Sequence, residues 1–169
     1  MKNHILLIMR HAKSDWSVHT ASDFERKLTD RGKRDAKKMG AWLKHQDLVP
    51  EIIVSSPAAR AERTALIVSR EINIDPARIN RDERIYDASL EDLLKVMATH
   101  MQEARRVLLI GHNPGLETLL DYLSSAAPEP NRAGKLLTTA AIAVLDYGRK
   151  PISAGKRSAQ LVCLTRPRD

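Results

Sequence analysis

Ile5-Leu6-Leu7-Ile8-Met9-Arg10-His11 is a run of five apolar residues that stops abruptly on an arginine and a histidine. A short continuous apolar run is the pattern of a strand buried on both faces of a parallel sheet, and in open α/β sheets the ligand crevice lies at the carboxyl ends of such strands. Arg10 and His11 are therefore expected where ligands bind. Arginine brings a fixed, always charged fork of donors suited to phosphate or carboxylate, and a neutral histidine brings a lone pair that serves as base or nucleophile. Taken alone, the simpler reading is that Arg10 leaves the core for water and His11 caps the strand. The other strand ends decide between the two.

Working outward, Thr29 is a good N-cap for a helix over Asp30 to His45, where Ala36, Met39 and Leu43 recur at helical spacing and the intervening charged residues face water. The segment between, Ser14 to Lys27, shows no period and reads as a loop long enough to fold over a site, with Trp16 and Phe24 expected to pack it down and His19 on the surface. Glu51 to Ser55 is a second β-rich run. Ser56-Pro57 then reads as a helix start, serine as cap and proline at the first helical position, which places Arg60 in the first turn. An arginine there opposes the helix dipole, and a bound anion would remove the conflict; a tether to Glu62 or to solvent would serve as well. Arg78 to Tyr86 reads as a polar connection, in which Glu83 and Asp87 flank Tyr86; either carboxyl is a possible general acid if it reaches a site, or a surface charge if it does not. Ser89-Leu90-Glu91-Asp92 has the form of a capping box for a helix through His100.

Val107 to Ile110 forms a third buried strand, followed by Gly111-His112-Asn113-Pro114-Gly115 and a helix over Leu116 to Leu123. A second histidine thus leaves a strand at its carboxyl end, repeating the opening pattern. Ala141 to Tyr147 and Ser158 to Thr165 read as strands of an antiparallel hairpin at the sheet edge, joined across a basic tip that protects the edge or aids solubility. The expected architecture is a three-layer α/β/α fold, a mostly parallel sheet with helices on both faces and a possible antiparallel edge strand.

The totals bound what this fold can do. One domain over 1–169 is expected from 169 residues, with no apolar run near the roughly 20 residues a membrane span needs. No secretory signal is supported at the start, so a cytoplasmic location is the expectation. The one cysteine, Cys163, has no internal partner and reads as a buried, inert thiol. A net charge of +7 favours an anionic partner. Nucleic acid is the obvious candidate, but aromatic residues are 4% and the basic residues look scattered, which argues against it and for a solvated basic surface. The histidines lack tight metal spacing and no Walker loop appears, so neither metal nor cofactor is expected.

Three strand ends now present Arg10 and His11, Arg60, and His112, enough for a cationic pocket around a phosphoryl group with a neutral imidazole to attack phosphorus. At this point Arg10-His11-Ala12-Lys13-Ser14-Asp15-Trp16, Ser55-Ser56-Pro57-Ala58-Ala59-Arg60-Ala61-Glu62-Arg63-Thr64 and Gly111-His112-Asn113-Pro114-Gly115 are seen to come in the order of the signatures of the histidine phosphatase superfamily. The chain resembles these phosphoglycerate mutase-like proteins, and within them the SixA-like phosphohistidine phosphatase branch, where alanine replaces the glycine after the first histidine. The resemblance implies that His11 is the nucleophile and is transiently phosphorylated, while Arg10, Arg60 and His112 bind the phosphoryl oxygens. It also implies a departure. Mutase-like enzymes use a glutamate as acid, and Asp82-Glu83-Arg84-Ile85-Tyr86 is locally similar to that motif, whereas SixA-like proteins generally lack a clear equivalent. A protonated imidazole leaves readily without an acid, and an alkoxide does not.

The leading expectation is a metal-independent phosphatase acting on phosphohistidine in a protein through a phosphohistidine enzyme intermediate. A second keeps the chemistry on a small phosphate ester, with Glu83 as acid. A third, from another class, is a non-catalytic phospho-ligand or nucleic-acid binding module using the same basic pocket.

Overall fold

The computed structural model describes residues 2–17 and 22–168. His19 lies outside the described residues. The strands are β1 (Ile5–Arg10), β2 (Ile52–Ser55), β3 (Ile79–Arg81), β4 (Arg106–Gly111), β5 (Ile142–Asp146) and β6 (Gln160–Thr165), and the helices are α1 (Asp30–His45), α2 (Ala59–Glu71), α3 (Leu90–His100) and α4 (Gly115–Leu123). One six-stranded sheet runs in the order β3-β2-β4-β1-β5-β6. The first four are mutually parallel, and β5 alone is reversed, pairing antiparallel with both β1 and β6.

Period-two alternation sends the residues of β1 to opposite layers. Ile5, Leu7 and Met9 join Ala36, Met39 and Leu43 of α1 and Ala61, Ala65 and Val68 of α2 on one face. Leu6 and Ile8 join Leu93, Val96 and Met97 of α3 and Leu116, Leu119, Leu120 and Leu123 of α4 on the other. This is the expected three-layer arrangement. Because α1 follows β1 on one face and α4 follows the adjacent β4 on the opposite face, the loops diverge above these two strands and leave a crevice at their carboxyl ends.

Local signals account for most element boundaries. Thr29 Oγ1 accepts from Gly32 N at 2.9 Å and starts α1 at Asp30. Ser89 and Asp92 complete a reciprocal capping box on α3. Three readings change. The connection from Arg78 to Tyr86 contains an edge strand, β3, because Ile79 is buried against the sheet while the two following residues remain exposed. Ser56 and Pro57 precede α2 instead of starting it: Ala58 holds the N-cap position, and the Ser56 hydroxyl is used elsewhere. Cys163 is half-buried on the outer strand β6, where one side of the strand has no neighbour. No helix among the described residues is long and apolar enough to cross a membrane.

Candidate active site

The strand ends are tied together before their side chains meet. Arg10 is in register with Gly111, His11 N donates to Gly111 O at 3.0 Å, and Ser56 N donates to Ile110 O at 3.0 Å. The three sequence segments therefore arrive at the same level of the sheet. Gly32 matters here because a Cβ at that position would overlap the Lys13 carbonyl, so the first turn of α1 can close against the end of β1 only without a side chain.

His11 is 6% exposed. Its Nδ1 lies 2.8 Å from Ala12 O, a pure acceptor, so Nδ1 carries the proton. Its Nε2 accepts from Arg60 Nε at 3.3 Å, so that nitrogen offers a lone pair. Both neighbours impose the same tautomer. Burial is the main force pushing its pKa down to about 3, with His112, Arg60 and Arg10 adding to the effect against the Ala12 hydrogen bond. His11 is neutral at physiological pH.

Arg60, 5% exposed, sits in the first turn of α2 as expected. Its tether is not Glu62, which pairs with Arg81 at 3.1 Å. Arg60 instead donates from one terminal nitrogen to Asp23 O at 2.7 Å and from the other to Asp23 Oδ2 at 3.0 Å. Tyr86 donates to the same carboxylate oxygen at 2.7 Å, and Arg26 pairs with the other at 3.1 Å. These contacts, the Tyr86 hydrogen bond foremost, hold the Asp23 carboxyl well below the usual range and keep it ionised. Arg26 in turn stacks over Trp16 at 3.6 Å, and Phe24 meets Tyr86 edge-on at 5.1 Å. Trp16 itself remains 74% exposed, so it covers Arg26 and does not anchor the loop in the core.

His112 lies beside His11, ring centroids 5.1 Å apart. Its Nε2 is 2.8 Å from Ser56 Oγ, which already accepts from Ala58 N at 3.2 Å. With one proton and two lone pairs, the serine hydroxyl can hold His112 Nε2 in either tautomer of the ring. Among the described residues His112 Nδ1 is buried without a partner, and so is Nε of Arg10. Burial, then Arg60, lowers the His112 pKa to about 4. Arg10 donates to Leu137 O at 3.0 Å, and Asn113 donates to the same oxygen at 2.8 Å.

The structure thus brings Arg10, His11, Arg60 and His112 together. It does not bring in Glu83, which is exposed on a 3-10 turn, Glu83–Ile85, with no ion pair or hydrogen bond from its side chain to these four; Asp87 is likewise exposed. Asp23 and Tyr86 are additional members that sequence reasoning missed, and Ser56, read there as a helix cap, is a third. Among the described residues no three His, Cys, Asp or Glu side chains are grouped to hold a metal.

The family model of the histidine phosphatase superfamily (branch 1) matches residues 6–93. The chain belongs to the histidine phosphatase superfamily. Similarity extends over the length of the chain: an uncharacterised protein of Mycobacterium leprae is 29% identical over 167 residues, covering 95% of this chain and 100% of the relative. An uncharacterised Mycobacterium tuberculosis protein is 32% identical over 142 residues, or 81% and 85% of the two chains. Among solved structures, a candidate phosphohistidine phosphatase SixA from Agrobacterium tumefaciens superposes with a TM-score of 0.78 at 27% identity, covering 98% of this chain and 100% of that one. The protein histidine phosphatase SixA complexed with tungstate gives 0.78 at 25% identity, with 96% and 97% covered. These matches place the chain beside the SixA-like branch.

Proposed function

We propose that this phosphatase of the histidine phosphatase superfamily removes phosphate from phosphohistidine in a protein, with His11 as nucleophile. The observation that carries the reading is the double constraint on His11: a carbonyl holds the proton on Nδ1, and a guanidinium faces the bare Nε2. A neutral, oriented imidazole needs no deprotonation before it attacks.

In the first half-reaction the Nε2 lone pair forms a P–N bond as the bond from phosphorus to the substrate imidazole breaks. The substrate imidazole departs with its electron pair, made a good leaving group by a proton on its other nitrogen. Arg10, Arg60 and His112 receive the phosphoryl oxygens, and the buried, unpartnered nitrogens of Arg10 and His112 suit this role. A phosphoryl dianion beside His112 supplies the opposite charge that raises its pKa and strengthens its donated hydrogen bond. In the second half-reaction water attacks phosphorus, the P–Nε2 bond breaks, and the proton of the water passes to the departing phosphate. The carbonyl of Ala12 stabilises the positive character of the phosphorylated imidazole throughout.

The leaving group follows from the acids. Glu83 and Asp87 are exposed and make no hydrogen bond or ion pair to the four residues, Asp23 is held ionised, and the Tyr86 proton is directed at Asp23. Glu117, the carboxyl that acts on Arg10, already accepts from Leu137 N at 3.2 Å, so among the described residues none of these groups is directed at a leaving oxygen, which favours a phosphoramidate bond over a phosphate ester. A side-by-side measurement with a phosphohistidine peptide and a panel of phosphate esters tests this. The peptide is expected to turn over faster, and His11→Ala to lower its hydrolysis by about 10³-fold or more. Unchanged hydrolysis by His11→Ala, or a dominant ester activity that collapses in Glu83→Gln, would overturn it.

A further inference from the structure

Next to the His11 site lies a second concavity of about 440 Å³, lined by six cationic side chains: Arg10, Lys13, Arg31, Lys135, Arg166 and Arg168. These come from the end of β1, the first turn of α1, the connection between α4 and β5, and the segment after β6. Residues that look scattered along the chain are gathered by the fold onto one face. Two carboxylates answer three of them. Asp35 is shared between Arg31 and Arg168 at 3.6 and 3.3 Å, and Glu117 acts on Arg10. Lys13 and Lys135 have no carboxylate partner among the described residues, and they leave a local positive excess on the groove surface.

The groove is built. Asn131 Oδ1 accepts from Ala133 N and Lys135 N at 3.0 and 2.9 Å, fixing the turn that carries Lys135. Arg166 donates to Leu136 O at 3.1 Å and holds the same turn against the end of β6. The Leu137 carbonyl then receives Arg10 and Asn113, so the wall of the groove is also a wall of the His11 site. Arg10 belongs to both. An anion seated in the groove is continuous with a phosphoryl group at His11, and the volume exceeds what a single small anion fills. Four arginines and two lysines spread around an open groove present several separate donor groups, which matches a chain of carboxylates, each taken by its own cation, better than one small anion.

We propose that this groove binds an acidic stretch of the substrate polypeptide, next to the side chain that carries the phosphoryl group. The proposal rests on the phosphatase reading of the His11 site and adds to it the sequence character of the protein that is dephosphorylated. Charge complementarity of this kind raises association rates and selects partners, and it is screened by salt.

The test measures binding and turnover separately. Calorimetry with unphosphorylated hexaglutamate is expected to show binding at low salt that weakens by about ten-fold or more when salt is raised from about 20 to about 200 mM. It should be lost in Lys13→Glu/Lys135→Glu, two lysines on the groove surface, while circular dichroism reports whether that variant is folded. A single Lys135→Glu change, on an exposed turn, should weaken binding in the same direction. Two phosphohistidine peptides, one flanked by glutamates and one by serines, are then compared: the acidic one should show a kcat/KM about ten-fold higher, through KM, with the preference erased in the variant. Equal kcat/KM at low salt, or absence of hexaglutamate binding, overturns the proposal. Tighter binding of a short oligonucleotide than of hexaglutamate overturns it as well, in favour of a nucleic-acid surface. Hexaglutamate binding without hydrolysis of either peptide leaves the groove standing and overturns the phosphatase reading.

Discussion

At the scale of single residues, the two histidines share a strand-end position and differ in what surrounds their nitrogens. His11 has both nitrogens engaged in one tautomer, and His112 keeps a buried nitrogen without a partner among the described residues. Imidazole ¹⁵N shifts should therefore show His11 neutral and fixed as the Nδ1–H form through pH 5, with no transition near 6.5. The folded protein resists protonating either ring until about pH 3 for His11 and about 4 for His112, whereas the unfolded chain takes up both protons near 6.5. The unfolded state binds more protons in that window, so stability is full above about pH 6.5 and falls as pH drops. The expected slope, from chemical denaturation at several pH values, is roughly 1.4 kcal/mol per pH unit for each histidine. Arg60 is the other residue whose chemistry is specific. Arg60→Lys keeps the charge but removes the planar fork and the Nε donor to His11, and kcat/KM should fall about 10²-fold or more.

Elements place these residues, and here sequence and structure agree unevenly. Gly32→Ala should destabilise the protein by about 3 kcal/mol, because the new methyl meets backbone at Lys13 that cannot swing aside, and thermal unfolding would read it. Thr29→Ala should cost about 1 kcal/mol through loss of the N-cap bond. The Gly32 contact is visible only in the fold, whereas the Thr29 cap is a signal a sequence carries openly, like a helical period or an apolar run. That is why β1, β4, α1 and α3 and the convergence of Arg10, His11, Arg60 and His112 were legible. β3 was not, since a three-residue edge strand with one buried side chain has no period to detect. Asp23 and Tyr86 were invisible for a different reason. They lie 63 residues apart, and only the folded loops bring the phenol to the carboxylate. Ser56 was read only as a helix cap: its hydroxyl does accept from Ala58 N just ahead of α2, but it also bonds His112, a tertiary contact that no local pattern announces.

At the scale of the whole molecule, one sheet serves two apolar layers, so neither should unfold alone. Leu108, fully buried in the central strand β4, tests this: Leu108→Ala should cost about 3 kcal/mol, with far-UV dichroism and Trp42 fluorescence, read in a Trp16→Phe background, shifting together. Two separated transitions would contradict a shared core. The orientation of β5 bears on a practical matter. Since this strand alone runs backwards, the connection from Gly148 to Arg157 starts beside His4, at the base of the sheet, and β6 then climbs back until Thr165 stands level with Ile142 and Met9. Lys2 and Arg168 therefore lie at opposite ends of the sheet. An affinity tag or fluorescent protein joined ahead of Lys2 projects away from the reaction, whereas one joined after Arg168 hangs over its entrance and competes with whatever approaches it.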